Sequence, residues 1–365
     1  MTGVRLLADD LSGALDAGAC FSRKGQGLPV VWDAPPGSGS YSFDTESREL
    51  APDTAERLVA ALAPALAQSG IAFKKVDSLL RGNTVGEIAA CLESGVFASA
   101  VVAPAFPALG RITRCGRQLV RTGSEWEALP VALGDVLGRR GLAPRHRGRG
   151  APPEGRGVFL CDAESEEDLA ALAGAAAGLA RPTLWCGSAG LARALAGDFP
   201  PVPLLEAGAL LTIVGSDHPT SAVQAQSLPC EGLVALANMS DAATAAHRLG
   251  ERLAARRQVA LVFRLPPMPR DEARRCIADA LAEIVASVPR PDAILATGGE
   301  TAFSLCRALR ADGLTALGWT APGIPLSRVE GGLWPGLPFV TKSGAFGSPE
   351  TLRQLTLQIS GGAIA

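Results

Sequence analysis

The chain has 365 residues, 47% of them hydrophobic, and a formal net charge of −2 at pH 7. This length exceeds a usual single domain, so we expect two domains with substantial cores. The near-neutral charge argues against general binding to nucleic acid or to a membrane surface. No apolar run reaches the roughly 18 residues of a membrane span, and the N-terminus lacks a signal-peptide pattern, so we expect a cytoplasmic protein.

Cysteine and histidine give no sign of a metal site. The eight cysteines are scattered and form no CxxC pair, and the three histidines, His146, His218 and His247, have no metal-like spacing. We therefore expect no zinc site. Most of the cysteines should be buried thiols in a reducing compartment.

Short apolar runs alternate with helical patterns along almost the whole chain. In the first half, strands are predicted at residues 4–8, 71–76, 100–103, 157–161 and 183–186, with helices at 12–24 and 84–93. In the second half, strands are predicted at residues 210–214, 233–237, 259–264 and 293–296, each followed by a helix. This alternation predicts an α/β fold, with two α/β domains of mostly parallel sheets flanked by helices.

Two segments interrupt the alternation. Residues 197–207 contain the run Gly-Asp-Phe-Pro-Pro-Val-Pro, which predicts a linker between an N-terminal domain (1–200) and a C-terminal domain (208–365). Residues 134–157 are rich in Arg, Gly and Pro. This composition predicts a solvated loop, and the alternative is a role in phosphate binding.

Polar residues directly follow many of the predicted strands. Ligands of open α/β sheets bind outside the carboxyl ends of the strands, so these residues are candidate site residues. They are Asp9, Asp10, Asp44, Glu46, Arg48, Lys75, Asp77, Ser78, Arg111, Asp162, Ser216, Gly298, Gly299, Glu300, Thr301 and Lys342. Asp16 adds a third acid near Asp9 and Asp10.

Some of these residues have structural alternatives. Asp10 or Ser12 can cap the first helix. Arg81 can be an ordinary surface residue, although Arg81-Gly82-Asn83 at a helix entry also suits an anion-facing turn. Glu300 and Thr301 can simply begin a helix.

Lysine is scarce, because only four of the thirty-four basic residues are lysine. Lys74, Lys75 and Lys342 lie in two Gly-bearing stretches far apart in sequence, which indicates two anion sites. Because side chains alternate along a strand, Lys75 should share a face with Asp77 while Lys74 points away.

The glycines of the second half suit phosphate binding. Thr297-Gly298-Gly299 ends a strand and opens a helix, which presents backbone N–H groups and lets a ligand approach closely. No Walker A or GxGxxG pattern is present, so neither an ordinary P-loop NTPase nor a standard NAD-binding protein is indicated.

Six ordered segments together resemble the four-carbon acid sugar kinase family. They are residues 8–14 (ADDLSGA), 44–48 (DTESR), 74–83 (KKVDSLLRGN), 104–113 (PAFPALGRIT), 297–302 (TGGETA) and 342–347 (KSGAFG). The chain departs from the family pattern at Leu79, where threonine is usual, and at His218, where the GSxSxxT segment has its second serine. Ser221 stands in that segment's threonine position, and the region after Arg114 is shorter and more basic.

The resemblance implies a kinase that uses ATP and Mg²⁺ to phosphorylate a threonate, erythronate or 3-oxo-tetronate type acid. It implies an acid-sugar site in the N-terminal domain, with Asp9, Asp10, Asp77 and Arg81 as catalytic residues. The implied substrate-binding residues are Arg48, Lys75, Ser78, Asn83 and Arg111. The implied ATP-binding residues are Ser216, Gly298, Gly299, Glu300, Thr301 and Gly344. The resemblance assigns no metal ligand. The expected partners are the sugar acid and ATP, and assembly into a homo-oligomer is left as a possibility.

Two other classes of function stay open. The Asp9-Asp10 pair also suits a phosphohydrolase that works through an aspartyl phosphate, although the usual DxD spacing is absent. A non-catalytic sensor of acid sugar and nucleotide that kept the fold is the third interpretation. A trapped acyl phosphate would favour the hydrolase, and nucleotide binding without ADP production would favour the sensor.

Overall fold

The structure is a computed structural model that describes residues 3–23, 26–197, 199–203, 205–229, 231–255 and 257–361. The chain divides into two compact units. The N-terminal unit comprises Met1–Ser22 and Leu28–Pro200, and the C-terminal unit comprises Arg23–Gly27 and Pro201–Ala365.

The N-terminal unit is an α/β unit with a small additional sheet. It begins with β1 (Val4–Ala8), α1 (Leu11–Phe21), β2 (Leu28–Val31), β3 (Tyr41–Asp44), α2 (Pro52–Ala67), β4 (Ile71–Lys75), α3 (Thr84–Glu93) and β5 (Ser99–Ala103). Three antiparallel strands follow, β6 (Arg111–Arg114), β7 (Arg117–Thr122) and β8 (Glu125–Ala128). The unit ends with α4 (Leu133–Arg139), β9 (Arg145–Arg147), β10 (Gly157–Cys161), α5 (Glu166–Gly174), β11 (Thr183–Gly187) and α6 (Ala189–Ala196).

The main sheet of this unit is parallel, with strand order β2-β3-β1-β4-β11-β5-β10-β9. Its central strands β1, β5, β10 and β11 are mostly apolar, as expected for a sheet covered on both faces. One face packs a core that includes Leu7, Phe43, Val59, Ile88 and Leu184. Burial of each such side chain contributes about 2 kcal/mol. In register, Leu7 lies beside both Phe43 and Lys74, so β1, β3 and β4 end at one edge.

The strands of the C-terminal unit follow the order β13-β14-β12-β15-β18-β17-β16. Its elements are β12 (Leu210–Val214), α7 (Pro219–Gln226), β13 (Leu233–Leu236), α8 (Ala242–Ala254), β14 (Val259–Phe263), α9 (Arg270–Ser287), β15 (Ala293–Thr297), α10 (Gly299–Ala308), β16 (Gly313–Ala321), β17 (Ile324–Glu330), β18 (Pro338–Lys342) and α11 (Thr351–Ile359). The first five strands in this order are parallel, and β17 runs antiparallel to both β18 and β16. Val214, Thr297 and Lys342 lie side by side, so the turns after these residues are neighbours.

The predicted α/β class is confirmed, and one local prediction is wrong. Residues 134–157 were expected to form a solvated loop, yet they contain most of α4 and all of β9. Leu137 of α4 is fully buried in the core, and β9 extends the sheet by pairing with β10. The arginines made this segment resemble a solvated loop. In the structure, Arg145 and Arg147 instead pack their guanidinium groups over the ring of Phe159.

Most described cysteines are buried, as predicted. Cys20, Cys91, Cys161, Cys186 and Cys306 are buried, Cys276 is half-buried and Cys115 is exposed. Cys230 and Lys24, the end of the first predicted helix, lie outside the described residues. No helix in the part of the chain that the structure describes has the length and apolar character that crossing a membrane requires.

Candidate active site

Arg48 joins the two aspartates that follow β1. Its Nε and Nη2 each donate to one oxygen of Asp9 at 2.9 Å, and its Nη1 donates to Asp10. The other oxygen of Asp10 accepts from the Gly13 N–H at 2.7 Å, so Asp10 is the N-cap of α1. The capping role expected of Asp10 or Ser12 therefore falls to Asp10.

The pKa values of these two neighbouring carboxyls move in opposite directions. Burial opposes ionisation of Asp9, but the positive charges of Arg48 and Lys74 outweigh it and lower the pKa of Asp9. At Asp10, burial and the charge of Asp9 outweigh Arg48 and raise the pKa. Asp9 is 1% exposed and Asp10 is 18% exposed. Asp10 is thus the carboxyl better suited to accept a proton.

Lys75 lies beside the start of α1, and Lys74 points elsewhere. A Cβ atom on Gly13 would lie 2.8 Å from Asp10 Oδ1 and 3.4 Å from Lys75 Nζ, so glycine is needed for this close approach. Lys75 Nζ donates to the Val76 carbonyl at 3.0 Å. Lys74 Nζ lies 2.7 Å from Glu87 Oε2 inside the protein. The alternation expected along β4 therefore separates the two lysines.

Asp77 and Arg81 form the turn that leads into α3. The carboxylate of Asp77 accepts from Arg81 N, Nε and Nη2 at 3.1, 2.6 and 3.0 Å. Burial acts to raise the pKa of Asp77, but the hydrogen bonds from Arg81 and the charge of Arg48 lower it below its usual value. Arg81 itself is 44% exposed, so it is the cation of this cluster most open to a ligand.

The same turn supports the segment that carries Arg48. Gly82 has a φ of +67°, and a Cβ there would lie 2.9 Å from Arg48 Cγ. The Asn83 amide donates to the carbonyls of Ser47 and Leu50 at 2.9 Å each. Asn83, expected among the substrate-binding residues, is therefore committed to holding the Arg48 loop.

Buried polar groups from two further elements complete the cluster. Asp16 on α1 has its pKa raised to about 6 by burial, and it interacts with Lys75, Asp10 and Arg111. Arg111 begins β6 and is 7% exposed, while the Ser78 carbonyl accepts from Gln118 Nε2 of β7 at 2.9 Å. Sequence reasoning missed Gln118, because no local pattern marks a buried amide in a short antiparallel hairpin. The cluster combines cations for an anionic ligand with a carboxyl that can take up a proton.

A second candidate site lies at the glycine turns of the C-terminal unit. A Cβ on Gly344 would collide with Ser216 Oγ, and one on Gly215 would collide with Thr301. Gly298 has a φ of +92°, and its Cβ would lie 3.1 Å from Ser216 Cβ. The three turns therefore pack so closely that only glycine fits, and they form a backbone-lined cradle.

The helices at this cradle begin without charged caps. Gly298 is the N-cap of α10, and no side chain caps that helix. His218, at the family's serine position, caps α7 by accepting from the Thr220 N–H through Nδ1 at 3.2 Å. Thr301 is buried, whereas Glu300 is half-buried and accepts from Arg270 at 2.6 Å. The positive ends of two helix dipoles are thus available to an anion.

Among the described residues, no three or more His, Cys, Asp or Glu side chains are grouped so that they could hold a metal ion. We therefore assign no protein ligand to Mg²⁺.

Comparisons with known proteins agree with this division of sites. Residues 4–137 and 136–195 match the family model "Sugar-binding N-terminal domain", and residues 211–352 match "Nucleotide-binding C-terminal domain". A D-threonate kinase from Cupriavidus necator is 36% identical over 95% of this chain and 95% of that protein. The chain belongs to the four-carbon acid sugar kinase family.

Two further similarities are consistent with this membership. A D-threonate kinase from Bordetella bronchiseptica is 31% identical over 96% of this chain and 95% of that protein. A crystal structure from Salmonella typhimurium LT2 matches with a TM-score of 0.68 at 16% identity, covering 97% of this chain and 98% of that one. This structural match shows that the two proteins share their fold over almost the whole of both chains.

Proposed function

We propose that this chain is an ATP-dependent kinase that phosphorylates a hydroxyl group of a four-carbon sugar acid of threonate, erythronate or 3-oxo-tetronate type. The observation that carries the proposal is the 36% identity to a D-threonate kinase over 95% of both chains. The two sites described above supply the chemistry that such a reaction needs.

The N-terminal domain, residues 1–200, binds the sugar acid in this proposal. Arg81 and Lys75 neutralise its carboxylate or the transferring phosphoryl group, and Ser78 and Arg111 line the same strand ends. Asp10 accepts the proton of the reacting hydroxyl, because its pKa is raised and its side chain is the more exposed of the pair. Asp9 holds Arg48, which fixes the orientation of Asp10.

The C-terminal domain, residues 208–365, binds the nucleotide. A Cβ at Gly215 or Gly344 would collide with Thr301 or Ser216, so glycine lets these turns pack beside the uncapped start of α10, whose backbone N–H groups suit a triphosphate. Ser216, Gly298, Gly299, Glu300, Thr301 and Gly344 form this site. Bound ATP supplies the phosphoryl group, and Mg²⁺ held mainly by the phosphates reduces their negative charge.

The test is ADP release from ATP and Mg²⁺ over a panel of four-carbon sugar acids. Asp10→Asn should lower kcat/KM by about 100-fold or more, and Arg81→Ala by about tenfold or more. Asp53→Asn and Arg57→Ala are matched controls, because both residues are exposed on α2. They should behave like the unaltered protein.

The outcomes separate the kinase from the other classes. Turnover at the wild-type level in both Asp10→Asn and Arg81→Ala would contradict the site assignment. Binding of nucleotide and sugar acid without any ADP would favour a sensor. A phosphorylated aspartate trapped on the protein would favour an aspartyl-phosphate hydrolase.

A further inference from the structure

The buried side chain of Lys342 holds the turn that follows β18 by hydrogen bonds to its backbone. Its Nζ donates to the carbonyl of Ser343 at 2.8 Å and to the carbonyl of Phe346 at 2.9 Å. Only 1% of its surface is exposed. The ammonium is therefore an internal clamp, and it does not reach a ligand through solvent.

Two polar side chains of α7 fasten the same turn. Gln224 Nε2 donates to the carbonyls of Phe346 and Ser348 at 2.9 and 2.7 Å, and Ser221 Oγ donates to the Gly344 carbonyl at 2.9 Å. Together with Lys342, these groups draw four carbonyls of residues 343–348 toward the interior. A solvated loop would need none of these contacts.

Peptide geometry fixes what the other side of the turn presents. In a trans peptide, the carbonyl of one residue and the N–H of the next point in opposite directions. With the carbonyls of Ser343, Gly344 and Phe346 held inward, the N–H groups of Gly344, Ala345 and Gly347 point outward. Within the described part of the chain, these three N–H groups have no acceptor. Such a group of backbone N–H donors is an anion-binding concavity.

The charge of Lys342 lacks a carboxylate partner among the described residues, since both acceptors of its Nζ are backbone carbonyls. Burial lowers the pKa of Lys342 to about 8, and no neighbouring charge contributes to this shift. Near pH 8, about half of the free protein molecules therefore hold a neutral amine at this position. An anion placed over the turn favours the charged form and raises this pKa.

We propose that Lys342 is a positioning residue whose buried ammonium balances the phosphate charge of a nucleotide bound at the N–H groups of Gly344, Ala345 and Gly347, so that nucleotide binding takes up a proton. This inference rests on the proposed function and adds to it. The proton comes from the buffer and forms an N–H bond at Lys342 Nζ, and no other bond changes.

Isothermal titration calorimetry with ADP and Mg²⁺ tests the coupling. Heats measured in buffers of different ionisation enthalpy give the number of protons taken up per ADP. The phosphates of ADP are already ionised at pH 8, so they do not contribute. We expect uptake of about half a proton at pH 8 and close to none at pH 6.5.

Three variants separate charge from structure. Lys342→Met keeps the length of the side chain, should abolish the uptake at pH 8, and should weaken ADP binding by about tenfold or more. Gln224→Leu loosens the same carbonyls without removing the charge, so it should weaken binding and retain the uptake. Arg328→Met, which removes an exposed cation of β17, should change neither.

The wild-type protein alone decides the question if Lys342→Met fails to fold. ADP binding with equal heats in all buffers at pH 8 would overturn this inference and leave the proposed function intact. Unchanged proton uptake in a folded Lys342→Met protein would also overturn it. Absence of ADP binding at any pH would overturn the proposed function and the inference together.

Discussion

Replacing Lys74 with methionine should destabilise the N-terminal unit by about 3–5 kcal/mol. The Nζ atom of Lys74 lies 2.7 Å from Glu87 Oε2, and the two side chains are 1% and 0% exposed. Methionine keeps the length but removes the charge, so the carboxylate of Glu87 would stay in the interior without a counter-charge.

The damage should extend to the Arg48 loop. Glu87 also accepts from Ser47 Oγ, and the Ser47 carbonyl accepts from Asn83. In the double variant Lys74→Met/Glu87→Leu, both charges are replaced by apolar groups, so most of the lost stability should return. Recovery should be incomplete because Ser47 Oγ loses its acceptor.

Hydrogen exchange of the α3 amides, measured at pH 7, reports the free energy of opening of this region. Arg140→Met is the matched control: Arg140 pairs with Glu56 and Glu93 at the surface, and such pairs contribute about 1 kcal/mol or less. A Lys74→Met protein within about 1 kcal/mol of the Arg140→Met protein would refute the reasoning. So would a double variant that is less stable than the Lys74→Met single variant.

Three further predictions concern single positions. Asp16→Asn should make stability less dependent on pH. The pKa of Asp16 is about 6 in the folded protein and 3.8 ordinarily, so the free energy of unfolding of the unaltered protein falls by up to about 3 kcal/mol as pH rises from 4 to 6. Urea unfolding at pH 4, 5 and 6 checks this, and equal slopes in both proteins would contradict it. Arg48→Lys should lower kcat/KM by about tenfold or more, because lysine cannot replace the paired contacts to Asp9. Steady-state kinetics with saturating ATP measure it, and an unchanged value would argue against a role for Arg48. Gly344→Ala should abolish detectable ADP binding in calorimetry, because its Cβ would collide with Ser216, and unchanged affinity would contradict the close packing of these turns.

Most of the parallel strands were predictable, but the parallel strand β9 and the antiparallel strands were not. The predicted bounds of β1, β10, β12 and α3 coincide with those of the structure. Fully buried parallel strands are continuous apolar runs, which stand out against flanking helices. By contrast, β7 and β8 carry Arg, Glu and Thr on half-exposed strands. The hairpin β16–β17 has a Pro-Gly turn at residues 322–323, but its strands depart from the alternation of strand and helix. Their pairing depends on tertiary contacts that no local pattern records.

The residues at strand ends were predictable for a related reason. Parallel strands in register bring the residues after β1, β3 and β4 to one edge, so the alternating pattern alone places Asp9, Arg48 and Lys75 together. The partners of these residues were not predictable. That Asn83 holds a loop, that Asp10 caps α1, and that Lys342 clamps a turn each depends on side-chain directions that only the folded structure defines.

The position of β11 has a consequence for synthesis of the protein. β11 lies between β4 and β5, although it is the last strand of its unit in the chain. Until Thr183–Gly187 leave the ribosome, β2-β3-β1-β4 and β5-β10-β9 can form only two separate half-sheets, and the edges at β4 and β5 lack their partner strand. Arg111 follows β5, whereas Asp9 and Lys75 belong to the other half. The candidate site at these strand ends therefore cannot assemble before β11 is available, and a nascent chain that has not yet released β11 exposes two edges that invite wrong pairing.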